Sequence, residues 1–118
     1  MNYTDLLGTP YERMNCGQVA AEGLRRLGLE DAAAALPTDQ ESAARLVGQG
    51  HGRWVFVSHD VGQACVGDVI VSDGPEHGLH VALVIKPGKA LTSARKSGVY
   101  APPVSRITAV RGVHRFQP

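Results

Sequence analysis

Residues 15–28 read NCGQVAAEGLRRLG, and this stretch decides the first half of the fold. Asn15 is a strong helix N-cap, because its side-chain oxygen can accept one of the N–H groups that the first helical turn leaves unpaired. Cys16, Val19, Ala20, Gly23, Leu24 and Leu27 then recur at i, i+3, i+4, i+7, i+8 and i+11, which places them on one apolar stripe of a helix. Gly28 is the expected stop, since it can take the left-handed conformation that closes a helix.

Working outward, residues 31–36 predict a short Ala-rich turn that ends at Pro37. Thr38-Asp39-Gln40-Glu41 reads as a capping box opening a helix that runs to about Val47. Gly48, Gly50 and Gly52 predict a flexible stop. Beyond them the periodicity changes to that of strands. Residues 54–58 form a short candidate, 66–72 a stronger one, and 79–85 are apolar on both faces, as in a central strand. Asp73-Gly74-Pro75 and Lys86-Pro87-Gly88 mark turns. Further strands are expected at 90–93, 98–100 and about 107–116. Helices first and strands after define an α+β class.

A chain of 118 residues and 12.5 kDa has room for one core, so residues 1–118 are expected to form a single domain. With 43% hydrophobic and 19% charged residues, the composition excludes a disordered or collagen-like chain. No apolar run is long enough to cross a bilayer, so membrane insertion is not expected. The first residues show no basic segment followed by an apolar one, so no secretory signal is expected. The charge is polarised. Residues 1–76 carry five basic and eleven acidic side chains, whereas 77–118 carry seven basic ones and no acid. That block reads first as solvated edges and turns, where Lys and Arg discourage edge pairing, with a face for an anionic partner such as a wall polymer or an acidic subunit as the alternative; it lacks the interleaved aromatics of a nucleic-acid surface, and no nucleic-acid partner is expected. Residues 62–67 contain no phosphate loop, and no cofactor is implied.

Cys16 carries the candidate chemistry. At the first turn of a helix, unpaired N–H groups and the positive dipole end favour a thiolate. A cysteine nucleophile needs a base brought close by the fold. His51 and His77 lie in Gly-rich or turn segments and are expected to be solvated. His59 follows a strand end, and His114 alternates with Val113 in the last strand. His80 differs, because it opens an apolar central strand where an ionisable group needs a reason to be held; the bland reading is a strand-end histidine bonded to a carbonyl. Cys65 is expected to be a small buried hydrophobe rather than a second nucleophile. His77 and His80 have HxxH spacing, but not on a helix and without a carboxylate pattern, so no metal site is expected. Trp54 is expected in the core or as a groove wall, Tyr100 as a groove lining or loop anchor, and Asp68 as the cap of a turn.

Several segments resemble one family in order. Leu7-Gly8-Thr9-Pro10-Tyr11 and Asn15-Cys16-Gly17-Gln18-Val19 look like the entry to the NlpC/P60 cysteine peptidases, where LG-x-PY precedes a D-C-S/W-G-L/F-V helix start. Gly67-Asp68-Val69-Ile70-Val71 resembles the family's G-D-L/V strand, and His80-Val81-Ala82-Leu83-Val84-Ile85 its H-V-G-I-Y-I strand. Ala90-Leu91-Thr92-Ser93 with Ser97-Gly98-Val99 resembles its I-H-A…S-G-V segment. The opening stretch and the closing Gly112-Val113-His114-Arg115-Phe116 are similar to the short phage-tail members.

The resemblance implies a papain-like α+β fold, with N-terminal helices packed on a C-terminal antiparallel sheet. It implies Cys16 as nucleophile, His80 as general base, and Tyr11 as a phenol near the nucleophile. The implied substrate is a peptidoglycan stem peptide, cleaved through an acyl-enzyme thioester. Other phage tail proteins are implied as partners, and the virion tail or the host cytoplasm as location. Three departures stand out. Thr92 occupies the position of the family's third polar residue, with Ser93 and His114 as possible substitutes. Only four residues separate Tyr11 from Cys16, so the family's Gly-Gly loop is missing. Asn15-Cys16-Gly17-Gln18 replaces D-C-S/W-G. A catalytically silent component of a tail tip is therefore the alternative to a peptidase.

Overall fold

The computed structural model describes residues 1–37, 39–48, 53–74 and 78–118. Three helices come first: α1 (Cys16–Arg26), α2 (Glu30–Ala34) and α3 (Gln40–Gly48). Six strands follow: β1 (Trp54–Ser58), β2 (Val69–Asp73), β3 (Leu79–Lys86), β4 (Lys89–Ala94), β5 (Gly98–Tyr100) and β6 (Val110–Phe116). They build one antiparallel sheet in the order β1-β6-β2-β3-β4-β5, so β3 is central, as its apolar faces predict.

The ends of α1 are local chemistry. The Asn15 side chain accepts from the Gln18 N–H at 3.0 Å, and the Gln18 side chain accepts from the Asn15 N–H at 2.9 Å, so both orphan donors are closed reciprocally. At the other end Gly28, at φ 81°, donates to Arg25, and Leu29 donates back to Leu24. That pair of hydrogen bonds is the Schellman stop. The region expected as an Ala-rich turn is the short helix α2. At α3 the cap is Asp39, whose carboxylate accepts from the Ser42 N–H at 2.9 Å. Thr38 lies outside the described residues, as do His51, His77, Pro75 and the glycines at 50 and 52.

Two strands start later than their hydrophobic runs suggest. β2 begins at Val69, because residues 65–68 close a turn: the Asp68 N–H donates to the Cys65 carbonyl, and the Asp68 carboxylate accepts from the Cys65 N–H. β6 begins at Val110, because a 3-10 turn over Val104–Arg106 and Ala109 at φ 52° interrupt the extended chain. Asp68 is buried and holds Arg115 bidentately at 2.8 and 2.9 Å. Cys65 is exposed, contrary to the burial expected of it: the turn points its thiol outward while the apolar run proper starts four residues on.

The sheet is packed on both faces. Val81, Leu83 and Ile85 of β3 face the helices, in a core with Val19, Leu24, Val47, Trp54 and Leu91. Val84, with Ile70 and Val113, faces the opposite side and packs on Val61, Val104 and Ile107. Each fully buried aliphatic side chain contributes about 1.5–3 kcal/mol. Gly23 lets α1 lie close on β3, as its place on the stripe predicts, since a Cβ there would run into Leu83. Among the described residues no helix is long and apolar enough to cross a membrane.

On the helix face, His114 lies against the exposed Phe56 ring at 5.8 Å and is 4% exposed. Burial lowers its pKa below the ordinary histidine value. His59, Arg45 and Arg111 line the same cavity, and none of its described lining residues is acidic. As pH falls below about 6.5 the unfolded imidazole takes a proton that the folded one refuses, so this site costs stability on the acid side. Thermal unfolding between pH 7.5 and 5.0 should therefore show a steeper loss in the parent than in His114→Gln. Parallel slopes would contradict it.

Candidate active site

Cys16 and Thr92 both bond Val81 at a break in the β3–β4 ladder. The recorded register pairs Leu83 with Leu91 and Val84 with Ala90 but does not continue to Val81. Along β3 the polar groups alternate sides; Ala82 and Val84 bond toward β2, so those of Val81 point toward β4. Side chains satisfy them there. The Val81 N–H donates to the Cys16 Sγ at 3.5 Å, and the Thr92 hydroxyl donates to the Val81 carbonyl at 2.8 Å. The first turn of α1 thus inserts its sulfur where a neighbouring strand would have supplied an acceptor.

His80 precedes Val81 and projects to the opposite face, where its Nε2 lies 2.7 Å from the Thr92 Oγ1. A hydroxyl has one proton, and the Val81 carbonyl can only accept. Both bonds are satisfied when Thr92 donates to Val81 and receives from Nε2–H. In that tautomer the ring's remaining lone pair is on Nδ1. Of the three polar candidates, Thr92 is the one that hydrogen-bonds the imidazole. Ser93 and His114 do not: Ser93 Oγ is buried without a hydrogen-bond partner among the described residues, and His114 sits on β6 opposite Val69.

The sulfur itself is 0% exposed. Burial pushes the Cys16 pKa up to about 12, opposed by the N–H groups of Val81, Gly17 and Cys16 and assisted slightly by the Asp39 carboxylate. The helix-start effect expected from the sequence is present in those N–H groups, but desolvation outweighs it. Tyr11 is half-buried, and the Arg95 guanidinium lies over its ring at 5.2 Å from the centroid. His80 is 7% exposed and lines a cavity of about 510 Å³ with Thr92, Ser72 and Tyr100, on the sheet face away from α1. Tyr100 is thus a lining residue, and Trp54 belongs to the core. No group of three or more metal-ligating side chains gathers among the described residues.

No protein-family model and no curated protein matches the sequence. Solved structures do match the fold. An NlpC/P60 family protein from Bacillus cereus ATCC 10987 superposes with a TM-score of 0.63 at 19% identity, over 98% of this chain and 38% of that one. The peptidoglycan hydrolase RipB from Mycobacterium tuberculosis superposes with a TM-score of 0.52 at 23% identity, over 88% of this chain and 46% of that one. The chain spans less than half the length of either. Its fold is the papain-like α+β arrangement of the NlpC/P60 structures.

Proposed function

We propose that this domain is a cysteine hydrolase of peptidoglycan stem peptides. Cys16 is its nucleophile, His80 its base and Thr92 the residue that orients the base. One observation carries the reading: Cys16 and Thr92 bond the two polar groups of Val81, while Thr92 also fixes the tautomer of the adjoining His80. In the reaction, the His80 imidazole, which rests on the sheet face away from α1, turns toward the gap between β3 and β4 so that its Nδ1 takes the Sγ proton, and the thiolate adds to the scissile carbonyl. Backbone N–H groups at the start of α1 stabilise the oxyanion. The amine then leaves with the imidazolium proton, and water, deprotonated by His80, hydrolyses the thioester. Tyr11 is proposed as a wall near the nucleophile. The similarity of the opening and closing segments to phage-tail members supports a tail-associated role, tested by recovery of the protein with purified tail particles.

A specific observation favours a second reading. A sulfur with no exposure and a pKa pushed up to about 12 suits a ladder acceptor in a catalytically silent fold. Release of peptides from purified peptidoglycan separates the two. The hydrolase reading expects release by the parent, none by Cys16→Ser or His80→Ala, and about a tenfold or larger fall in kcat for Thr92→Val. Thr92→Ser, which keeps the hydroxyl, should restore most of it together with the pH profile. No release by the folded parent would establish the silent reading.

A further inference from the structure

We propose that β1 is a dimerisation edge, paired antiparallel with β1 of a second copy about a two-fold axis at Val55. The outer strands of the sheet are β1 and β5. The β5 edge is closed, because Val99 donates to Thr9 and accepts from Gly8, each at 2.9 Å. Among the described residues β1 has no such cover. Its register with β6 sets which of its groups are free. The Gln117 N–H donates to the Arg53 carbonyl at 2.6 Å, and Trp54 lies opposite Phe116, so the bonded pairs fall at Arg53 and Val55. The N–H and C=O groups of Trp54 and Phe56 therefore point outward. Such edges are ordinarily guarded by charge or proline. Trp54–Ser58 has neither, and Val55 and Phe56 are 40% and 52% exposed.

The free groups are self-complementary. With the axis at Val55, Trp54 of one copy faces Phe56 of the other, and the pair exchanges both backbone bonds on each side of the axis. A slip of one residue would set outward groups against residues that bond inward. Moving the axis to Phe56 would bring in Ser58, beyond the shift in register that follows Phe56. On the sheet face away from the helices the exposed Val55 meets its own copy, and on the helix face Phe56 lies beside Trp54 of the other copy. Arg53 precedes the strand and Asp60 follows it, both exposed. Antiparallel pairing thus brings opposite charges together at each end, whereas parallel pairing sets like against like. Because β5 is covered, the contact closes as a dimer rather than growing into a filament. β6 and β2 lie between this edge and β3, so the pairing stands whether or not the domain is a hydrolase.

Sedimentation velocity of the parent should show a species of twice 12.5 kDa, half-formed at about 10–100 µM, as suits a contact of one strand pair. Val55→Lys and Val55→Glu each set like charges on the axis and should weaken the dimer at least about tenfold. Circular dichroism should show both variants still folded, because Val55 is exposed. An equimolar mixture of the two opposes Lys to Glu and should restore the dimer, which only a contact of residue 55 with itself can do. The parent alone gives a second readout: amide exchange at Trp54 and Phe56 should slow as it is concentrated. A parent still monomeric at about 1 mM would leave the edge to a strand from another protein and overturns the proposal. So does a dimer that neither variant weakens, a mixture no more dimeric than its parts, or exchange at those two amides that ignores concentration.

Discussion

Iodoacetamide at pH 8 is expected to alkylate the exposed Cys65 within minutes and Cys16 at least about 10² times more slowly, because burial pushes the Cys16 thiol up to about 12 and leaves it almost no thiolate at that pH. Exclusion of the reagent from a sulfur with no exposed surface adds to that ratio, whereas Cys65 is in open solvent. Mass spectrometry of the digested protein counts the two sites separately. A second readout follows from linkage. The folded thiol holds its proton to higher pH than the unfolded one, so the stabilisation is complete below the ordinary thiol value and is lost as pH rises toward 12, by up to about 1.4 kcal/mol per pH unit. Fast alkylation of Cys16 below pH 7 that disappears in His80→Ala would overturn the sealed thiol. It would show instead a resting thiolate–imidazolium pair, the stronger form of the hydrolase reading.

Gly98→Ala is expected to destabilise the domain by about 3 kcal/mol or more, the sum of a strained left-handed residue and an overpacked contact. Gly98 stands at φ 69°, and a Cβ there would run into the backbone carbonyl of Thr9. Backbone cannot turn aside as a side-chain tip can. The contact exists because the N-terminal segment lies along β5: the Gly8 N–H donates to Val99 and the Val99 N–H donates to Thr9, each at 2.9 Å. Gly8→Ala is the control. Gly8 is also left-handed, at φ 82°, but a Cβ there meets nothing within 4 Å, so about 1–2 kcal/mol of backbone strain is the whole cost. Chemical denaturation should rank the variants with Gly98→Ala clearly lower. Equal losses would mean that the Thr9 contact yields easily.

Much of the scaffold is legible without coordinates because its signals are local. The apolar stripe from Cys16 to Leu24 is buried as its spacing predicts, and the Gly28 stop and the central strand at Leu79–Lys86 follow from the same kind of reading. Where local signals mislead, a side chain has taken a backbone role. The run at 66–72 looks like one strand, yet the Asp68 carboxylate turns the chain before Val69. The pairing of Arg115 with Asp68, 47 residues earlier, has no sequence signal, since it depends on β6 running beside β2.

The sequence by itself determined the order of helices and strands, the cap and stop of α1, and Cys16, His80 and Thr92 as the residues to watch. The elements, Cys16 and His80 follow from interactions within a few residues and from side-chain chemistry, and Thr92 from the family resemblance alone. Only the tertiary structure decided what surrounds them. It placed the Cys16 sulfur in the gap between β3 and β4 and gave the Thr92 hydroxyl to both His80 and Val81. The ionisation of the thiol turned on the same difference. A helix start lowers a cysteine pKa through groups next to it in the chain, whereas the burial that raises it comes from packing against residues far away in sequence.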